Sequence, residues 1–332
     1  MLSVIIPVYA ATSADVNLLR AALQSLKAST FRDFEILVAD DASPQPEPIR
    51  ALVIAAGALL IRQPVQRGPA AARNAAAAKA SGEILVFFDA DTSVHPDTLD
   101  RFARAFNDDP ALDALLGSYD QHPTAPGRVS RFRNLLHSFV HHRANGRATT
   151  FWTGCGAVRK HRFVSAGGFS ETFTRASIED VEFGLRLHEA GACLQLDPRI
   201  QVTHHKAWTL RSMVWTDLYL RAIPWVGLMR KHPLPQDLNF RMSDRLSGAL
   251  VALLLPALLI AIWRGGAWWL APLLALAAIA LLNVPLFRFL ARAGGWREAL
   301  LSYPLLLTYF ATCVVGLIAG RAKEYTTNAS SE

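Results

Sequence analysis

Three long stretches of uncharged, apolar residues lie in the C-terminal third of this 332-residue chain. A helix that crosses a bilayer needs about 20 apolar residues, and each stretch is close to that length. Three such helices nearly in series would expose apolar surface on all sides of a soluble domain. We therefore expect a membrane region at 245–322, with helices from Leu246 to Trp263, Ala267 to Phe287 and Ala299 to Gly320. Because prolines interrupt these stretches, two spans with a re-entrant segment are the alternative.

The segment 207–244 differs in composition from the sequence on either side of it. It combines aromatic residues such as Trp215 and Trp225 with basic residues such as Arg221 and Lys231. Aromatic and basic residues on one helical stretch are typical of the membrane–water interface. We expect an amphipathic interfacial helix here, and a helix packed on the preceding domain is the alternative.

The basic residues indicate a membrane partner and a topology. The net charge is +7, but the sequence has no zinc-finger spacing or single-strand-binding signature, so an anionic leaflet explains the charge better than nucleic acid. The connection between the second and third apolar stretches carries Arg288, Arg292 and Arg297, and the first connection carries only Arg264. Positive residues are retained in the cytoplasm, so we expect the second connection inside, the first outside, and the tail 323–332 outside.

The N-terminus and the cysteines predict a cytoplasmic location for the first domain. The start of the chain has no basic region, and its apolar run is too short for a signal peptide. The cysteines Cys155, Cys193 and Cys313 are far apart, which argues against a disulfide framework and a zinc site. We expect a multi-pass protein of the inner (cytoplasmic) membrane whose first domain lies in the cytoplasm.

Short β-branched runs alternate with helical stretches in the first part of the chain. The predicted strands are Ser3 to Val8, Phe34 to Ala39, Leu59 to Arg62 and Glu83 to Phe88. This alternation predicts an α/β domain at 1–206 with a mostly parallel, doubly wound sheet. In such sheets, ligands bind outside the carboxyl ends of the strands.

Two pairs of carboxylates follow predicted strands and should meet at that edge. Asp89-Ala90-Asp91 could hold Mg²⁺ or Mn²⁺ on a diphosphate, because these ions prefer carboxylate and phosphate oxygens. A solvated loop is the alternative. Asp40 and Asp41 could accept hydrogen bonds from a nucleobase or a ribose, although turn formation or helix capping also explains an Asp pair.

Three other positions carry possible chemistry. Arg73 lies one turn into a helix whose N-terminus would face the crevice, where it could contact an anionic donor; a surface position on the helix is the alternative. Glu179 and Asp180 begin another helix; either could be a general base, and we favour Asp180. Helix-dipole stabilisation is the alternative for both acids. His204 follows a predicted strand and could complete the metal site, with a structural role as the alternative.

Taken together, these residues resemble family 2 glycosyltransferases of the GT-A fold, an inverting family that includes dolichol-phosphate sugar synthases and ceramide glucosyltransferase. The resemblance runs from Ser3 to about Lys206. Its motifs are Val4-Ile5-Ile6-Pro7-Val8-Tyr9, Val38-Ala39-Asp40-Asp41-Ala42-Ser43, Ala72-Arg73-Asn74, Phe88-Asp89-Ala90-Asp91, Gly154-Cys155-Gly156-Ala157-Val158-Arg159, Gly167-Gly168-Phe169 and Glu179-Asp180.

The resemblance implies a role for each matching residue. It implies that the nucleoside pocket is lined by Pro7, Tyr9, Asp41 and Arg73. It implies that Asp89 and Asp91 hold the metal–diphosphate, that Asp180 is the base, and that His204 lies beside the metal.

The predicted function is the transfer of a sugar from a nucleotide-sugar to a lipid or lipid-linked acceptor at the cytoplasmic membrane face. Among the nucleotide-sugars, a UDP-sugar is favoured. A processive polysaccharide synthase is an alternative, but the Gln-x-x-Arg-Trp motif of such enzymes is missing after the catalytic acid. A nucleotidyltransferase should have a glycine-rich, basic loop after the first strand, which this chain lacks. A non-catalytic membrane scaffold would not need Asp89, Asp91 and Asp180 together.

Overall fold

The computed structural model describes residues 1–144, 146–232 and 241–329, with side chains as far as Ala322. Contacts between residues divide the chain into two units. The first contains Met1–Ala125 and Val140–Lys206, and the second contains Pro126–Phe139 and Ala207–Glu332. The side chains of the predicted tail, 323–332, lie outside the described residues.

The first unit is built on one mixed sheet. Its strands are β1 (Leu2–Val8), β2 (Phe34–Asp40), β3 (Leu59–Arg62), β4 (Ile84–Phe88), β5 (Thr92–Val94), β6 (Ala114–Tyr119), β7 (Gly146–Arg147), β8 (Cys155–Arg159) and β9 (Leu194–His204). Their order is β3-β2-β1-β4-β8-β6-β9-β5, and β7 pairs with β9. The first four strands in this order are parallel, as the sequence predicts. Strand β8 is antiparallel to both β4 and β6, so the second half of the sheet is mixed.

Helices alternate with the strands along this part of the chain. They are α1 (Ser13–Lys27), α2 (Pro46–Ala56), α3 (Pro69–Ala77), α4 (Thr98–Asp108), α5 (Arg128–Arg143), α6 (Lys160–Ser165) and α7 (Glu179–Glu189). All residues of β1 are buried, because a central parallel strand has both faces covered. Helix α1 begins at a capping box of Thr12 and Asp15, which satisfies two of its first backbone N–H groups.

The second unit is helical. Its remaining helices are α8 (Leu210–Trp215), α9 (Ile223–Lys231), α10 (Met242–Arg264), α11 (Leu270–Leu282), α12 (Val284–Leu301) and α13 (Tyr303–Ala329), with a π-helical turn at Thr216–Ala222 and a 3₁₀ turn at Gly266–Trp269. Within the described residues, two helices are long and apolar enough to cross a membrane, at Met242–Arg264 and Tyr303–Ala322. The pair Gly266–Leu282 and Val284–Leu301 also qualifies but is bent by 63°.

The bend changes the expected second helix. The sequence predicts one helix from Ala267 to Phe287 and a connection around Arg288–Arg297. The structure instead ends α11 at Leu282, and most of 288–297 lies in α12, which is broken at Gly295. Asn283 leaves the helical conformation, and its buried amide donates to the Ile279 carbonyl at 2.8 Å. Pro285 then begins the new helix because it has no N–H to continue the old one.

Candidate active site

The carboxyl end of β2 is fixed by its two acidic residues. Asp40 is fully buried; it accepts the Ser43 N–H at 2.9 Å and forms an ion pair with Arg62. Asp41 is 4% exposed and accepts the N–H groups of the two residues before α3, Arg67 and Gly68, both at 2.8 Å. These carboxylates therefore hold the loops at the crevice edge. Their predicted contact with a nucleoside stays a prediction.

The end of β1 lies beside this loop. The backbone N–H of Asp41 donates to the Val8 carbonyl at 2.9 Å. Pro7 is buried within β1, whereas the neighbouring Tyr9 is 42% exposed. An exposed aromatic ring next to a strand end can stack on a planar ligand, so Tyr9 is placed suitably for its predicted role.

Arg73 connects three predicted site residues. It lies on α3, is 3% exposed, and donates to Asp89 at 2.8 Å and to Glu179 at 3.0 Å. Burial would lower the pKa of Arg73, but the charges of Asp89, Glu179 and Asp180 raise it. The guanidinium is thus held permanently charged between the end of β4 and the start of α7. Of the predicted site residues, Arg73, Asp89 and Glu179 are in direct contact here.

The next residue, Asn74, connects α3 to the glycine motif. Its side-chain amide donates to the Phe169 carbonyl at 2.8 Å, and its carbonyl oxygen accepts the Phe169 N–H at 2.9 Å. Gly168 has φ +68°, and a Cβ there would lie 2.7 Å from the Asn74 oxygen. A larger residue cannot approach Asn74 in this way. The close approach of Asn74 to Gly168 and Phe169 thus joins α3 to the glycine motif.

Glu179 and Asp180 have different surroundings. Glu179 is 3% exposed and accepts hydrogen bonds from Arg73 at 3.0 Å and from the Ser177 N–H at 2.7 Å. Asp180 is partly exposed and accepts the N–H and hydroxyl of Thr153 at 3.2 and 3.3 Å and the N–H of Val181 at 2.8 Å. Burial and the charge of Glu179 raise the pKa of Asp180 to about 7, although Arg73 opposes them. Of the two acids, Asp180 is the one with a general base's surroundings.

Asp91 faces His204 across the ends of β4 and β9. An oxygen of Asp91 lies 3.5 Å from the His204 Nε2. The His204 ring stacks on Tyr119 with centroids 4.2 Å apart. Burial would raise the pKa of Asp91, but His204 and Lys206 lower it, so the carboxylate stays ionised. Its Oδ1 is buried and has no hydrogen-bond partner among the described residues.

This pair fits a divalent cation. The Asp91 Oδ1, a buried carboxylate oxygen without a donor, is an available ligand, and the His204 Nε2 lies 3.5 Å from the other oxygen of the same carboxylate, Oδ2. Among the described residues no three His, Cys, Asp or Glu side chains form a ready metal cluster. An ion here would therefore take its remaining ligands from a diphosphate and water, as Mg²⁺ usually does. Asp89 binds Arg73 through its Oδ1, so its Oδ2 lies outside that ion pair. Ala90 separates Asp89 from Asp91 in the sequence.

The family is decided by comparison with known proteins. Residues 3–166 match the family described as Glycosyl transferase family 2. The chain carries a family 2 glycosyltransferase domain. The domain is similar to an uncharacterized glycosyltransferase of Haemophilus influenzae, with 26% identity over 65% of this chain and 72% of that protein. It is also similar to the pre-mycofactocin glycosyltransferase of Mycobacterium tuberculosis, with 28% identity over 56% of this chain and 40% of that protein.

Solved structures share the fold of the glycosyltransferase domain. A mannosyltransferase from Pyrobaculum calidifontis, in complex with GDP-Man and Mn²⁺, has a TM-score of 0.60 and 19% identity, covering 96% of this chain and 86% of its own. A structure of GalNAc-T7 with UDP, GalNAc and Mn²⁺ has a TM-score of 0.51 and 16% identity, covering 69% and 47%. At these identities the likeness confirms the predicted GT-A-like α/β fold. It does not extend to the substrates.

The glycosyltransferase domain contains polar contacts that the sequence did not single out. Asp120, at the end of β6, bonds the His95 Nε2 at 2.9 Å and accepts the Thr203 hydroxyl. Thr203 precedes His204, so this network fixes the strand that carries the predicted metal ligand. The other missed residue is Thr153, which holds Asp180. Neither Asp120 nor Thr153 stands out in the sequence, because the partners of each lie far away along the chain.

Proposed function

We propose that this glycosyltransferase moves a sugar from a nucleotide-sugar, a UDP-sugar in the first instance, to a lipid or lipid-linked acceptor. The observation that carries the proposal is the chain of contacts from Asp89 through Arg73 to Glu179, with Asp180 next to it. These contacts join the predicted diphosphate site to the predicted base. A base beside a donor diphosphate is the arrangement that glycosyl transfer requires.

The donor site would hold a divalent cation, Mg²⁺ or Mn²⁺. Asp91 and His204 would supply ligands, with Asp89 as a further carboxylate close to Arg73. When bound, the ion would neutralise charge on the departing diphosphate. The Mn²⁺ in the two structural neighbours supports this assignment. Tyr9 and Asp41 would contact the nucleoside, at the ends of β1 and β2.

The acceptor hydroxyl would lose its proton to Asp180. A carboxylate with a pKa of about 7 is ionised in part at neutral pH and is basic enough to take a proton in the transition state. Glu179 is occupied by Arg73 and by a backbone N–H. A single base without a separate protein nucleophile implies one displacement, and therefore inversion at the anomeric carbon.

A membrane location for the acceptor is supported by the second unit. Trp215 and Tyr219 are both about half exposed, and their rings, tilted by 39°, have centroids 4.2 Å apart on the segment expected at the membrane interface. Helices α10 and α13 are long and apolar enough to span a bilayer. We propose that the catalytic unit works at the cytoplasmic face of the inner membrane, where a lipid acceptor can reach it.

A transfer screen tests the proposed function. Detergent-purified full-length protein is incubated with nucleotide-sugars, Mn²⁺ and a lipid extract, and both nucleotide release and labelled lipid are measured. We expect labelled lipid from one donor, with inverted configuration by NMR. Asp180→Asn should bind the donor and lose transfer. Labelled soluble oligosaccharide instead of lipid would contradict the acceptor assignment, and a retained anomeric configuration would contradict the mechanism.

A further inference from the structure

Helix α12 has one buried and one exposed face. Its buried face includes Leu286, Phe289 and Leu290. These residues belong to a hydrophobic cluster with residues of α5 such as Phe132, and the rings of Phe139 and Phe289 lie 5.5 Å apart. The position of α12 within the second unit is therefore fixed by its apolar side. The opposite side is available for another partner.

The exposed residues of α12 are basic before its break at Gly295 and both basic and apolar after it. Arg288 and Arg292 come before the break, Trp296 and Leu300 come after it, and all four are exposed. Trp296 is 58% exposed and Leu300 is 64% exposed. Arg297, also exposed, adds a third positive charge beside Trp296. We call these five residues the arginine stripe.

The acid of this helix does not neutralise the stripe. Glu298 is the acidic residue of α12, and it lies 3.4 Å from Arg128 of α5. Arg131 of α5 donates to the Ala293 carbonyl, just before the break in α12 at Gly295. Arg128 and Arg131 thus contact α12, whereas the three arginines of the stripe are exposed.

The helices on either side of α12 indicate what covers the stripe. It follows α11, whose last turn exposes 74% of Leu281, and it precedes α13, which is apolar enough to cross a bilayer. The chain bends by 63° between α11 and α12. Trp296 and Leu300 are exposed close to arginines in the sequence, and the headgroup region of a membrane accommodates both kinds of residue.

We propose that α12 lies at the membrane surface and that its arginine stripe binds the headgroups of anionic phospholipids. A guanidinium forms two parallel hydrogen bonds with a phosphate, and Trp occupies the headgroup level. Each basic residue near an anionic surface strengthens binding about fivefold. The stripe would therefore select anionic lipids over zwitterionic lipids around this part of the protein. The inference depends on the membrane placement of the second unit and not on the sugar or the acceptor.

Lipid binding to the purified full-length chain tests this inference without any turnover. Native mass spectrometry in detergent is used with equal amounts of phosphatidylglycerol and phosphatidylcholine. We expect preferential retention of phosphatidylglycerol by the wild-type protein. The double variant Arg288→Gln/Arg292→Gln should lose this preference, by about fivefold for each arginine. Added salt should weaken the preference in the wild-type protein because exposed charges are screened.

The matched control is Arg20→Gln/Arg50→Gln, which removes two exposed arginines from α1 and α2. It should retain the wild-type lipid preference. The proposal is overturned if the α12 variant keeps its preference while remaining folded by circular dichroism, or if the control loses it to the same extent. It is also overturned if the wild-type protein does not discriminate the two lipids and binds an oligonucleotide through the same arginines.

Discussion

The raised pKa of Asp180 predicts the pH dependence of this enzyme. If Asp180 is the base, only its ionised form is active, and kcat/KM should rise with pH to a plateau above pH 8. With a pKa of about 7, the ionised fraction at pH 6 is about one tenth. Activity at pH 6 should therefore be about tenfold below the plateau. Asp180→Asn should lower the plateau by about 10² to 10⁴ and show no such rise.

Removing the charge of Glu179 provides a sharper test of the pKa of Asp180. Glu179 raises the pKa of Asp180, so Glu179→Gln should move the rise in kcat/KM to lower pH. Its plateau should also fall, because Arg73 loses one of its two carboxylate partners. Steady-state rates from pH 5 to 9 at saturating Mn²⁺ would show both effects. An inactive Glu179→Gln with an active Asp180→Asn would mean that Glu179 is the base.

The same pKa predicts a change in stability. A carboxyl whose pKa is higher in the folded state stabilises the fold only while it is protonated, so this contribution is lost as pH rises towards 7. Asn resembles the protonated acid. Asp180→Asn should therefore be more stable than wild type at pH 8, by at most about 4 kcal/mol, and the partial exposure of Asp180 reduces this limit. Thermal unfolding at pH 5 and pH 8 would measure the difference, and equal shifts at both values would refute the assigned pKa.

Three further predictions concern the metal, the packing and the topology. EDTA should abolish turnover and Mn²⁺ should restore it, whereas Asp91→Asn should stay inactive at saturating metal; full activity of this variant would exclude Asp91 as a ligand. Gly184→Ala should destabilise the fold by about 3 kcal/mol or more, because its Cβ would lie 1.9 Å from the Phe151 nitrogen. Gly227→Ala is the control: no atom lies within 4 Å of its Cβ, and Ala favours a helix over Gly, so thermal unfolding should show no loss of stability. Reporter fusions within 288–297 should be cytoplasmic and fusions after the C-terminus external; a cytoplasmic C-terminus would mean that one apolar stretch does not cross.

The sequence predicted the parallel half of the sheet because that half is built from local signals. Each β-branched run before a helix became a strand, and the acids after those runs lie at the strand ends. The pairing of β8 between β4 and β6 was not predictable in this way. It depends on contacts between strands far apart in the chain, and short-range patterns do not encode them.

The site and the membrane region show the same limit. The sequence offered both Glu179 and Asp180 as candidates, since both begin one helix. Contacts that the structure alone shows distinguish their surroundings, above all the contact of Glu179 with Arg73, which is 106 residues away. The break at Asn283 was hidden because apolar residues continue through it to Phe287. Hydropathy averages composition over a long window, and the three residues Asn–Val–Pro are too few to lower that average.

The contacts of Arg73 also affect the order in which ligands can bind. In the described part of the crevice, Asp89, Glu179 and Asp180 surround one arginine, and Asp91 follows within two residues of Asp89. Such a place is electronegative, and a bare diphosphate would be repelled from it. A bound cation would reverse the local sign of the potential. We therefore expect the crevice to bind the diphosphate well only when the cation arrives first or together with the donor.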